Sequence, residues 1–96
     1  MSLDLLKMRY FVRIAELGSI TRASMDLGVA QPALSFHMRM LEEQLGVQLL
    51  IRNARGVIAT EAGMTLLEHA QSILRALDKA EAATREQAEF PTGEVS

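Results

Sequence analysis

Apolar residues at Leu5, Met8, Phe11, Val12 and Ala15 recur in steps of three, three, one and three, which predicts a helix from about Leu3 to Leu17 with a broad apolar stripe. Gly18 ends it in a left-handed cap. Ser19 then offers a hydroxyl N-cap, and Ile20, Ala23, Ser24 and Leu27 repeat the helical spacing, so a second helix runs to about Leu27 and stops at Gly28. Val29 fills the corner and Pro32 sits where an orphan N–H is no loss. Leu34, Met38, Leu41 and Leu45 mark a third helix, about 31–45, by steps of four, three and four. A connection of about three residues makes the second and third helices cross steeply, the helix-turn-helix arrangement.

After Gly46 the pattern changes. Val47, Leu49 and Leu50 suit a short strand, Asn53-Ala54-Arg55-Gly56 is turn chemistry, and Val57-Ile58-Ala59 is a second β-prone run, so the pair reads as a small hairpin or wing. Thr60 and Glu61 cap a last helix, predicted to reach about Gln87, on which Leu66, Ala70, Ile73, Leu77, Ala80 and Thr84 alternate in steps of four and three while Leu67 and Leu74 widen the stripe. About 38 Å of striped helix, at 1.5 Å per residue, is more than a head of this size can cover. The surplus predicts a second copy of the chain, with small Ala70 and Ala80 allowing close approach. The candidate dimerisation residues are therefore Leu66, Ala70, Ile73, Leu74, Leu77 and Ala80.

Composition narrows this little. Hydrophobic residues make up 49% of the 96, too many for a disordered chain, and no run of apolar residues is long enough to span a membrane. Residues 1–10 hold no signal peptide, so a cytoplasmic location is expected. Without cysteine there is no disulfide or thiolate metal site, and neither His37 nor His69 has the partners a metal requires; no cofactor is expected. No glycine-rich phosphate loop, HExxH or nucleophile with a base at useful spacing occurs, so the chain does not read as an enzyme.

Charge becomes informative only by position. The net charge is −2, yet residues 1–60 hold seven basic against five acidic side chains, and residues 61–96 three against seven. A head of +2 beside a helix of −4 suits a head facing phosphate and a helix facing solvent or protein. The third helix turns Gln31, Ala33, Ser35, Phe36, His37 and Arg39 away from its apolar side, with a small, polar N-terminal tip able to donate to phosphates or base edges. Glu42 and Glu43 fall at the far end, pointing away from a duplex or bonding the domain's own backbone. Arg52 and Arg55 at the wing tip suit a narrow, electronegative minor groove, or simply a charged hairpin. Lys7, Arg9 and Arg13 form either a solvated face or a phosphate contact.

The segments SITRAS (19–24), AQPALS (30–35), LEEQLG (41–46), LLIRNARGV (49–57) and TEAG (60–63) together resemble the N-terminal domain of LysR-type transcriptional regulators, over roughly Leu5 to Ala83. The run QLLIRNARGV is also similar to the nitrogen-assimilation-control branch of that family. The resemblance implies a mainly α fold: a winged helix-turn-helix head at 1–59, a linker and dimerisation helix at 60–88, and at 89–96 a hinge toward a ligand-sensing domain. It implies an antiparallel homodimer, a tetramer in a full-length parent, and a small-molecule effector acting only through that further domain. The partner it implies is double-stranded DNA with an interrupted palindrome, the third helix in the major groove and the wing, about 52–56, in the minor groove.

Carried over residue by residue, the family's contacts fall on Gln31, Pro32 and Ser35, with Phe36 next to them; Thr21 and Arg22 begin the helix that crosses the sugar-phosphate backbone. Gln31 suits adenine, Ser35 a base or a phosphate, and Pro32 a sugar or thymine methyl. With Arg39, Arg52 and Arg55 these are the candidate DNA-binding residues. Three departures stand out. Phe36 replaces a basic or amide residue and is either an apolar contact to a thymine methyl or part of the core. Ala30 gives up the usual serine cap. Ser24 replaces the usual alanine at the helix crossing and is expected to bond back to its own helix. The alternative reading is a helical protein-interaction and dimerisation module without specific DNA binding.

Overall fold

A computed structural model describes residues 4–89. It contains α1 (Leu5–Leu17), α2 (Ile20–Leu27), α3 (Gln31–Leu45), the strands β1 (Leu50–Asn53) and β2 (Gly56–Ala59), and α4 (Glu61–Glu89). The hinge expected at 89–96 lies, but for Glu89, outside the described residues.

Local sequence signals account for nearly every boundary. α1 starts after Asp4 rather than at Leu3, because the Asp4 carboxylate accepts from the Lys7 backbone N–H at 2.8 Å and so occupies the N-cap. That hydrogen bond, with the Lys7 ammonium at 3.1 Å, holds the Asp4 carboxyl below its ordinary range. Ser19 caps α2 by accepting from the Arg22 N–H at 3.1 Å, and Gly18, Gly28 and Gly46 close the first three helices in left-handed conformation. Ala30 stands at the N-cap of α3 and supplies no side-chain cap. Ser24 does not bond back to its own helix: its hydroxyl donates forward to the Val29 carbonyl at 2.6 Å while the Val29 N–H returns to the Ser24 carbonyl at 3.1 Å. The steep turn brings Val29 within reach, and the reciprocal pair fixes the angle between α2 and α3.

The core is built around α1, which packs on α2, α3, β2 and α4. Phe11, Ile14, Leu34, Leu41 and Leu49 are fully buried. β1 starts at Leu50, later than the apolar run suggested, because the N–H groups of Leu49 and Leu50 are bound by the Glu42 carboxylate, at 2.8 and 3.1 Å. The antiparallel wing pairs Leu50 with Ala59, Ile51 with Ile58, Arg52 with Val57 and Asn53 with Gly56. It is tied to α1 where the Val57 N–H donates to the Gly18 carbonyl at 3.0 Å. Gly56 is required there: its φ is 142°, and a Cβ would stand 2.3 Å from that same Gly18 oxygen.

α4 divides the stripe read from the sequence. Ala70 and Leu74, expected to face a second chain, are buried in the chain's own core, and Leu66 and Leu67 pack partly against it. The head needs a lid over α1, and the first half of α4 supplies it. Gln71 donates to Glu16 at 3.0 Å, and Arg9 and Asp78 approach to 3.7 Å. Ile73 remains 44% exposed, Leu77 is half-buried, and every residue from Lys79 to Ala88 is exposed. Among the described residues no helix is long and apolar enough to cross a membrane.

One ion pair gives the fold a pH dependence. Arg13 Nε donates to Asp26 at 2.6 Å, joining α1 to α2, and this holds the Asp26 carboxyl below the usual carboxylate range. A depressed carboxyl stabilises the fold above its unfolded pKa and loses that contribution as pH falls through the folded one. Asp26→Asn is therefore expected to melt below wild type at pH 7, by a small margin since the pair is exposed, with the gap closing on acidification. Melting curves at stepped pH check this; a gap that persists in acid would refute it.

Candidate nucleic-acid interface

The turn between α2 and α3 leaves the N-terminal end of α3 exposed. Gln31 and Pro32 are exposed, Ser35 is half-buried one turn later, and Phe36 is 50% exposed, which settles it outside the core. With Ala30 unable to cap, the first N–H groups of α3 find no side-chain acceptor. Such a helix end carries a partial positive charge and free donors, the physical requirement for holding an anion. Thr21 and Arg22 are exposed in the first turn of α2.

The wing lies against α3 rather than standing free. Arg52 donates through Nη2 to the Ser35 hydroxyl at 3.1 Å, so the structure brings together two of the residues picked from the sequence. Arg52 is consequently not at the wing tip; it stands opposite Val57, inward of the turn. Arg55 occupies the turn, whose shape is set by Asn53 Oδ1 accepting from the N–H groups of Arg55 and Gly56 at 2.8 and 3.1 Å.

Ion pairing sorts the cations of the head. Lys7 is paired with Asp4, Arg9 with Asp78, and Arg13 with Glu16 and Asp26, so each of these three cations of α1 already has a carboxylate beside it. Among the described residues of the head, Arg22, Arg39, Arg52 and Arg55 have no carboxylate within ion-pair distance. Sequence charge counts could not make that distinction, because Arg9 and Asp78 meet only after folding. Arg39 borders a shallow cleft shared with Glu42, Glu43, Val47 and Gln48, so its positive field is tempered.

His37, expected on the exposed side, is half-buried. Its ring lies 5.4 Å from Tyr10 and 5.9 Å from Phe36, and its Nδ1 is buried without a partner. Tyr10 packs from α1 across a long stretch of sequence, so no local signal marked this contact. His37 in turn lies edge-on to the exposed Phe36. Glu42 proves structural, as its position at the far end of α3 suggested. Among the described residues no group of His, Cys, Asp and Glu could hold a metal ion.

Three helices with the third presented at its N-terminus, and a hairpin fastened beside it, define a winged helix-turn-helix head carried on a long helix. Residues 5–64 match the family described as "Bacterial regulatory helix-turn-helix protein, lysR family", and the chain belongs to that family. It is 44% identical over 94 residues to the nitrogen assimilation regulatory protein nac of Klebsiella aerogenes, covering 98% of this chain and 31% of the relative. It is 46% identical over 83 residues to a probable cat1 operon transcriptional activator of Acinetobacter lwoffii, covering 86% and 27%. The chain thus spans about a third of the length of the curated relatives it matches. Among solved structures it resembles the "BenM_DBD/catB site 1 DNA Complex", with TM-score 0.87, 37% identity and coverage of 96% of this chain and 99% of that one. It also resembles the "CbnR_DBD-DNA complex", with TM-score 0.81, 36% identity and coverage of 90% and 99%.

Proposed function

We propose that this chain is the operator-reading part of a bacterial transcriptional regulator: a sequence-specific, double-stranded-DNA-binding head and its dimerising helix. The observation that carries the reading is the uncapped, exposed N-terminus of α3, flanked by a wing held to it through Arg52 and Ser35. The unpaired Arg22, Arg39, Arg52 and Arg55 supply phosphate attraction, and Arg55, alone in the wing turn, takes the minor groove. Gln31 and Ser35 read base edges in the major groove, Thr21 meets the backbone, Pro32 touches sugar or thymine methyl, and Phe36 adds an apolar contact to a thymine methyl. Two proteins crystallised with DNA, 37% and 36% identical to this chain, support the same reading by likeness of shape and sequence.

A modest net charge on each head calls for two heads. In this reading Ile73, Leu77 and Ala80, with the outer edge of Leu66, meet a second copy, while Ala70 and Leu74 serve from within by shaping α4. Small-molecule control, tetramer formation and a cytoplasmic setting belong to the full regulator.

Selection of bound sequences from a random duplex pool, with the complex sized by ultracentrifugation at two salt concentrations, tests the proposal. The expected result is an interrupted palindrome, two chains per site, and affinity that falls steeply with salt as condensed counterions are released. A folded dimer that enriches no motif would support an interaction module instead. Gln31→Ala should cost about 1–3 kcal/mol of specificity at a single base pair, whereas Arg55→Ala should weaken specific and random duplexes alike. Equal losses on both kinds of DNA for Gln31→Ala would remove it from the readout.

A further inference from the structure

Ser35 and Glu42 lie about two turns apart on α3 and therefore on one side of it, the side that faces the wing. At one end the Glu42 carboxylate binds the N–H groups of Leu49 and Leu50. At the other, Ser35 accepts from Arg52 at 3.1 Å. The strand register explains the aim. Arg52 stands opposite Val57, residues paired across a hairpin share a face, and Val57 and Leu50 on that face are buried. Arg52 thus leaves the hairpin on its core side, toward α3, while Ile51 and Ile58 pair on the outer side, 42% and 57% exposed.

A serine hydroxyl has one hydrogen to donate and lone pairs to accept. Beside a guanidinium the oxygen turns toward the cation and the hydrogen away from it. The hydroxyls of Thr65 and Thr84 spend their hydrogens on carbonyls four residues back, whereas among the described residues the Ser35 hydroxyl meets only Arg52. Its hydrogen is left unspent, and the adjoining charge makes the hydroxyl a stronger donor.

We propose that Arg52 is a positioning residue for base readout: by holding the Ser35 oxygen it fixes Ser35 as a hydrogen-bond donor, so the base that Ser35 faces must present an acceptor. Guanine, adenine and thymine each offer one in the major groove; cytosine offers its amino donor and is rejected. The wing then sets what the recognition helix can read, in addition to gripping the neighbouring groove. The inference rests on the DNA-binding reading above.

The test is the same random-duplex selection on the full chain and on Ser35→Ala, Arg52→Ala, their double variant and Arg55→Ala, with melting curves to confirm that each is folded. In the wild type, cytosine should be disfavoured on the order of tenfold at one position of each half-site, the worth of one charge-assisted hydrogen bond. Ser35→Ala and Arg52→Ala should each bring cytosine at that position close to the other bases, and the double variant should go no further than either alone. Arg55→Ala should bind more weakly while keeping the cytosine discrimination. If Arg52→Ala weakens every site evenly and keeps the discrimination, Arg52 acts solely as a phosphate or minor-groove cation and the proposal is wrong. Discrimination that survives Ser35→Ala overturns it as well, by giving that hydroxyl to a phosphate. A wild type that enriches no motif defeats the DNA-binding reading itself, an outcome distinct from both.

Discussion

Gly63→Ala should lower the melting temperature by roughly 10–20 °C, the equivalent of about 3 kcal/mol in a domain of this size. Helix propensity alone argues for the opposite sign: Gly63 lies within α4, where alanine is favoured over glycine by about 1 kcal/mol. Tertiary packing outweighs that preference. A Cβ at Gly63 would stand 2.1 Å from the Leu49 carbonyl oxygen and 3.1 Å from both the Leu49 carbonyl carbon and the Ala59 Cβ. Backbone cannot swing aside as a flexible side chain does. The same Leu49 oxygen accepts from the Thr60 N–H at 2.9 Å, and the Thr60 hydroxyl, which donates to Gln48 at 2.6 Å, caps α4 by accepting from the Gly63 N–H at 2.9 Å. Moving α4 outward strains all three bonds at once and lifts Ala70 and Leu74 off the core. Calorimetry of the variant decides between the two signs, and a raised melting temperature would show that the junction between wing and α4 is looser than described.

Glu42→Ala should cost about 2–3 kcal/mol, since two N–H groups lose a charged acceptor where α3 passes into the wing. Its effect on DNA should be larger than the lost stability explains. Removing a carboxylate raises the net charge of the head by one, which on its own would strengthen attraction to phosphate. The variant should nonetheless bind more weakly at temperatures where it is fully folded, because the Arg52–Ser35 bond is then the remaining hydrogen bond between the wing strands and α3, among the described residues. Glu42→Gln, which retains a neutral acceptor oxygen, should fall between. Tighter DNA binding by folded Glu42→Ala would mean that charge dominates and that the wing does not need this anchor. Denaturant melts and salt-matched binding isotherms on the three proteins separate these cases.

Helix-terminating and helix-starting signals could be read without the fold because they act within a few residues of themselves. Ser19 and Thr60 accept from N–H groups three residues on, and Gly18, Gly28 and Gly46 close their helices against carbonyls of the turn just before. The Asp4 cap is equally local, but the apolar stripe, which extends to Leu3, does not mark it. The apolar sides of α1 and α3 were likewise legible, for periodicity reports which side of a helix avoids water. Gln31, Pro32 and Phe36 followed as residues on the opposite side.

Periodicity does not report what covers an apolar side, and here the tertiary structure decided. Ala70 and Leu74 carry the same helical spacing as Ile73 and Ala80, yet the first two lie against α1 and the other two are open. Charge counting likewise treats all arginines alike; only folding brings Asp26 to Arg13 and Asp78 to Arg9, and so separates the paired arginines of α1 from those of α2, α3 and the wing. The half-burial of His37 against Tyr10 and the seating of Arg52 on Ser35 belong to the same class. The sequence by itself determined the helices, the turns between them and the family resemblance, because those depend on neighbours along the chain. Which side chains remain free to meet DNA or a second copy depends on neighbours through space, and that was decided by how α1, the wing and α4 close on one another.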